Sequence, residues 1–185
     1  MTESPTTPTL ELTPERVAAE HVWVRDRAAV VVPLVNDVRA ELGAVFETDV
    51  DPIDREAYHR VVDETFADGD RAVNVAALVA LLRGLDVQDD YPGFVVDELL
   101  GRELAATIAG DQPLRLLAEA TFHYADVHYH GEEGDGSDGA FGNNGGATDA
   151  AGRDDLDAAL AAGVQTVLPG WDWTEGESPF SVERA

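Results

Sequence analysis

The chain has 185 residues, of which 37 are acidic and 12 are basic, and its formal net charge at pH 7 is −25. All twelve basic residues are arginines that form no cluster, so the composition excludes the basic surfaces that bind nucleic acid or an anionic membrane. The absence of cysteine excludes disulfides, iron–sulfur clusters and thiolate ligands, and any bound metal must use histidine and carboxylate ligands.

The acidic residues are spread along the whole chain rather than gathered in one tail. Their mutual repulsion opposes compaction at low ionic strength, whereas molar salt shortens the Debye length to about 3 Å and screens most of it. The first residues lack the basic and apolar regions of a signal peptide, and the longest apolar run, residues 28–35, contains Pro33. We therefore expect a halophilic protein of the cytoplasm.

The first predicted helix begins at Thr13. Thr is a favoured N-cap, and Pro14 suits the first helical position, where its missing N–H is not needed. Apolar residues at helical spacing then continue to Leu42. Pro33 within this stretch predicts a kink or a break, because proline lacks the hydrogen-bond donor of a helix interior.

Further helices follow from caps, stops and apolar periodicity. Asp54 is a predicted N-cap, and Gly84 and Gly110 are predicted stops. The remaining helices are expected over residues 54–66, over 70–82, up to Gly110, over 114–130 and, as a short last element, over 154–167. The fold predicted from this pattern is all-α, a helical bundle or irregular helical domain of five to six helices.

The composition also predicts how the chain is organised into regions. Gly, Asp and Asn dominate one internal stretch, and Trp171, Trp173 and Phe180 lie close to the end of the sequence. We expect a flexible N-terminal arm (1–12), a helical core domain (13–130), a loop or linker (131–152), and a short helix with an aromatic tail that packs on the core (153–185).

One stripe of polar residues stands out on the predicted fifth helix. At about 100° per residue, four potential metal ligands fall within a sector of about 60° on an otherwise apolar helix; they are Glu119, His123, Asp126 and His130. The stripe is either the solvent face of that helix or a polar seam directed into the bundle, and both interpretations stay open.

A second feature supports metal binding. Glu56 and His59 on the predicted second helix have the Glu-x-x-His spacing that di-metal helical bundles use twice, although this chain has it once. Together with the stripe they would form a site for iron, manganese or zinc. Against it, acidic residues are so frequent here that histidine–acid spacings of one helical turn are expected by chance.

Two functional hypotheses follow. The first is a helical accessory protein, an adaptor or a chaperone, that binds another protein; it rests on the absence of a recognisable catalytic motif. The alternative is a metal-binding bundle with a redox or carrier role, built from Glu56, His59 and the stripe. The sequence identifies neither a substrate nor an oligomeric state.

The spread of negative charge predicts dependence on salt. Lowering the salt from molar to about 0.1 M should unfold or expand the protein, because carboxylate repulsion is then unscreened. Circular dichroism at decreasing salt tests this expectation. A cooperative, fully helical fold that persists unchanged at low salt would contradict the halophilic interpretation.

Overall fold

The structure, a computed structural model, describes residues 9–85, 99–131 and 151–171, except for the side chains of 127–131 and 151–154. The described residues form seven helices and no strand. These are α1 (Pro14–Asp26), α2 (Ala28–Val45), α3 (Arg55–Ala67), α4 (Gly69–Gly84), α5 (Arg102–Ala109), α6 (Leu114–Gly131) and α7 (Ala151–Val167).

The all-α class is confirmed, whereas the expected number of five to six helices was wrong. The extra helix arises because the first predicted helix is two, α1 and α2, which separate at Arg27. Pro33 lies inside α2 instead of at the break. The break coincides with an ion pair, since the guanidinium of Arg27 donates to both carboxylate oxygens of Asp157 in α7.

The last helix lies at the centre of the core. Every residue from 155 to 166 is buried, so α7 has no solvent face in that stretch, and it packs on α2, α4, α5 and α6. A helix surrounded on all sides needs small residues wherever its neighbours come close. A Cβ added at Gly163 would lie 2.8 Å from Ile108 Cβ and 3.0 Å from the carbonyl oxygen of Ala105 in α5.

The predicted helix starts agree with the structure. Thr13 Oγ1 accepts the backbone N–H of Arg16 at 3.2 Å, and Asp54 Oδ1 accepts that of Ala57 at 2.8 Å. Each cap therefore satisfies one of the backbone donors left free at a helix start. Within the described ranges, no helix is both long and apolar enough to cross a membrane.

The end of α2 is closed by a Schellman motif. Thr48 N–H donates to Gly43 O at 2.8 Å, and Glu47 N–H donates to Ala44 O at 3.4 Å. Glu47 takes the left-handed position with φ 53°, where glycine is usual. This turn places Phe46, the residue before Glu47, at the surface.

Trp171, the first aromatic residue of the tail, packs on the core. It is fully buried, donates Nε1–H to the carbonyl oxygen of Gln165 at 3.2 Å, and meets Phe46 edge to face at 6.2 Å. Trp173, Phe180 and most of the predicted loop 131–152 lie outside the described residues.

The close approach of α5 and α7 generates a stability prediction. Gly163→Ala should lower the free energy of unfolding by about 1–3 kcal/mol, because the added methyl group would lie too close to Ile108 Cβ and to the carbonyl oxygen of Ala105. Gly69→Ala is the matched control, since a Cβ there meets nothing within 4 Å. The control should leave stability unchanged or raise it by up to about 1 kcal/mol. Denaturant midpoints in molar salt compare the two variants, and equal effects would contradict the packing of α7 against α5.

Candidate functional site

An apolar groove lies between α1 and α4, with the end of α3 at one side. We call it the α1/α4 groove; it encloses about 500 Å³, and its lining includes Leu12, Val17, His21, Phe66, Ala72 and Val73. Val17 and His21 are one helical turn apart and so share a face of α1. Gly69 and Ala72 line the opposite wall, and their small size leaves the space open.

The start of α1 shapes one end of the groove. With Thr13 as N-cap, Leu12 and Val17 occupy the two positions of a hydrophobic staple, and both line the groove. Leu12 is nevertheless 43% exposed, and Val73 on the facing wall is 42% exposed. The groove therefore presents apolar side chains to solvent on a chain with a formal net charge of −25.

A hydrogen-bonded cluster bounds the groove at His21. The imidazole stacks on Phe66 with ring centroids 4.8 Å apart, and its Nε2 lies 2.7 Å from Asp63 Oδ1, which accepts the hydrogen bond. Arg25 donates to the other carboxylate oxygen of Asp63. The Arg25 guanidinium, assisted by His21, holds the pKa of Asp63 below its usual value, although desolvation partly opposes this. The cluster fixes the orientation of the imidazole ring.

The lining of the groove is apolar apart from two polar side chains. His21 is the one titratable side chain among the described residues that line it, and the hydroxyl of Thr13 is engaged in capping α1. An apolar lining with a single oriented polar group is typical of a site that holds an apolar ligand.

The predicted polar stripe of α6 is turned partly to solvent. His123 is exposed, Glu119 and Asp126 are half-buried, and the side chain of His130 lies outside the described residues. Glu119 is 3.7 Å from the guanidinium of Arg115, one turn earlier. The buried face of α6 is formed instead by Ala118, Thr121, Phe122 and Ala125.

The other two predicted ligands lie on α3. Glu56 is exposed, and His59 is half-buried with Nε2 donating to the carbonyl oxygen of Arg25 at 3.1 Å. The main neighbours of α3 are α1, α2 and α4, whereas α6 packs chiefly on α5 and α7. In the part of the chain that the structure describes, no three histidine or acidic side chains come together as a metal site would require. Metal binding stays a prediction.

The sequence contained a signal for the groove that periodicity alone does not identify. Val73 belongs to the apolar stripe of α4 and Leu12 precedes a helix cap, so each looks like an ordinary structural residue. The useful signal is the staple pair Leu12 and Val17 together with the small residues Gly69 and Ala72, which line the same groove.

The exposure of His123 generates a prediction about α6. His123→Ala should change the free energy of unfolding by no more than about 0.5 kcal/mol, as is usual for exposed positions. Phe122→Ala, at the neighbouring buried position, should cost about 3–5 kcal/mol. Denaturant unfolding measures both, and metal analysis of the purified parent and His123→Ala proteins is done in parallel. A large loss of stability at His123 together with loss of bound metal would support the metal hypothesis instead.

Comparison with known protein families gives one match. The model of a family described as a domain of unknown function (DUF7984) matches residues 10–184. Neither the curated proteins nor the solved structures contain a significant match to the chain.

Proposed function

The chain belongs to the family described as a domain of unknown function (DUF7984), and we propose that it is a non-catalytic helical accessory protein, an adaptor or chaperone, of a halophilic cytoplasm. In this proposal the α1/α4 groove binds an apolar segment of a partner protein. The observation that carries it is the apolar lining of the groove, with Leu12 and Val73 exposed to solvent.

The dimensions of the groove suit a short segment. Its α1 wall runs from Pro14 to His21, which is two turns of helix, or about 10 Å. A partner helix of similar length would present two or three apolar side chains at one-turn spacing, as in other helix-in-groove complexes. Contiguous apolar surface of this kind on a charged protein is a mark of a protein-binding site.

The rim of the groove indicates the charge of the partner segment. Glu11, Glu15 and Asp70 are exposed and adjoin lining residues along the chain, and the described lining itself contains no arginine. Arg16 and Arg71 also adjoin the lining, but each is paired with an acid of its own helix or cap, Arg16 with Glu20 at 2.8 Å and Arg71 with Asp68 at 3.5 Å. A segment with arginine or lysine next to its apolar positions complements this rim. In molar salt these pairs act only at close range, so the apolar contacts supply most of the affinity.

The proposal predicts that a charge in the groove abolishes binding. The probe is a fluorescein-labelled amphipathic peptide of Leu, Ala and Arg, titrated by fluorescence anisotropy in about 2 M KCl, where surface charges are screened. Val73→Asp should weaken binding at least about tenfold, because the carboxylate must be desolvated against the apolar face of the peptide.

Leu81→Asp is the matched control. Leu81 lies on the same helix, is 41% exposed against 42% for Val73, and is not part of the groove. Its substitution adds the same charge to α4, so it should leave the affinity of the peptide unchanged. Equal losses in the two variants, or no binding by the parent protein, would rule out the groove as the binding site.

The metal-binding alternative keeps its own test. The zinc, manganese and iron content of the purified protein is measured alongside the peptide titration, and the two results together distinguish the two functions. A stoichiometric metal in a protein that binds no peptide would favour the alternative built from Glu119, His123, Asp126, His130, Glu56 and His59.

A further inference from the structure

The α4 wall of the α1/α4 groove begins with a residue that has no side chain, Gly69. Ala72 and Val73 lie three and four residues further on and also line the groove. Residues at this spacing share one face of a helix, so a Cβ at position 69 would point to the same side as those of Ala72 and Val73. In the described part of the chain, such a Cβ meets nothing within 4 Å. Position 69 therefore leaves room in the groove for a side chain that this chain does not supply.

Two aromatic rings lie at the same end of the groove. Phe66 precedes Gly69 by three residues, because α3 ends at Ala67 and α4 begins at Gly69. Three residues span at most about 11 Å, so the room at Gly69 is close to Phe66. The ring of Phe66 stacks on that of His21 with an interplanar angle of 27°, and both residues line the groove.

The structure holds these rings in place without a ligand. The imidazole of His21 is fixed by its stacking on Phe66 and by its hydrogen bond to Asp63, a carboxylate that also accepts from Arg25. The His21 side chain is still 31% exposed, so part of the imidazole can be reached from solvent. Side chains that are already ordered lose less conformational entropy on binding. The ring pair is therefore a preformed contact surface.

The ring pair favours one class of side chain at this position. Aromatic rings interact in offset or edge-to-face arrangements, which adds to the free energy gained from burial of apolar area. An aliphatic side chain would fill the room at Gly69 but would not gain this additional interaction. Aromatic residues are also frequent among the few side chains that dominate the affinity of protein interfaces.

We propose that the α1/α4 groove recognises its partner segment through one aromatic side chain, whose ring lies beside Gly69 and contacts Phe66 and His21. This inference rests on the proposed function, since it names the residue type that the groove selects in the segment it binds. The absence of a side chain at Gly69 makes room for the ring, and the ring pair favours aromatic over aliphatic residues.

The first experiment varies one side chain of the peptide probe. Three versions of the labelled amphipathic peptide carry phenylalanine, cyclohexylalanine or alanine at one central apolar position, and each is titrated in about 2 M KCl by fluorescence anisotropy. Cyclohexylalanine is similar in shape to phenylalanine and more apolar, so burial alone would make it bind at least as tightly. The aromatic contacts should instead make the phenylalanine peptide bind about twofold to tenfold more tightly.

The second experiment fills the room at position 69. Gly69→Leu should weaken binding of the phenylalanine peptide at least about fivefold and that of the alanine peptide less than about twofold, because only the ring competes with the new side chain. Gly84→Leu is the matched control. Gly84 is the last residue of α4, is not among the described residues that line the groove, and also has nothing within 4 Å of an added Cβ. This control should leave both affinities unchanged.

A third variant tests the ring pair itself. Phe66→Leu keeps an apolar side chain and removes one ring, so the preference for phenylalanine over cyclohexylalanine should fall at least about twofold. Equal binding of these two peptides to the parent protein, or equal effects of Gly69→Leu and Gly84→Leu, would overturn this proposal. The groove would remain the binding site in that case if Val73→Asp still weakened binding. Failure of the parent protein to bind any of the peptides would overturn the proposed function as well.

Discussion

The buried ion pair between Arg27 and Asp157 is the interaction on which the arrangement of the helices depends. Asp157 is fully buried in α7, a helix with no solvent face from 155 to 166. A carboxylate in such a place is tolerated only when it is paired and hydrogen-bonded. Arg27 meets this need with two nitrogens, and it does so from the point where α1 ends and α2 begins. Burial and the nearby Asp157 also raise the pKa of Tyr58, so this hydroxyl remains a donor to the carbonyl oxygen of Val24 at 2.7 Å.

Arg27 also belongs to a group of contacts that joins α1 to α4, the two helices that form the α1/α4 groove. Trp23 stands between two guanidinium groups, with Arg27 5.5 Å and Arg83 of α4 4.3 Å from its ring centroid. Arg83 in turn donates to the buried carboxylate of Glu20 at 2.5 Å. Charge pairing and cation–π contacts thus tie the middle of α1 to the end of α4. The beginnings of the two helices, which carry Val17 and Ala72, then form the two walls of the groove.

Local signals in the sequence predicted most helices, and long-range pairing explains what they missed. Thr13 and Asp54 cap the helices they were expected to cap, because capping depends on neighbouring residues alone. The break falls at Arg27, whose partner Asp157 lies 130 residues away, and no periodicity within α1 or α2 predicts that pairing. The residues of the predicted stripe do share one helix, α6, but their relation to solvent depends on α5 and α7. No sequence pattern predicted the buried amide of Gln165, because its hydrogen-bond partner, the hydroxyl of Thr121, lies in another helix.

The excess of acidic residues changes which features of the surface carry information. With 37 acidic side chains in 185 residues, a histidine has a carboxylate one turn away by chance, so such pairs are weak evidence of a site. Exposed apolar groups that line a common groove, such as Leu12 and Val73, carry more information, because contiguous apolar surface marks a binding site whereas single exposed side chains do not. In the molar salt that we propose as the working environment, charge-based recognition is screened beyond about 3 Å, whereas apolar association persists. The α1/α4 groove, apolar with one oriented imidazole, suits recognition under those conditions.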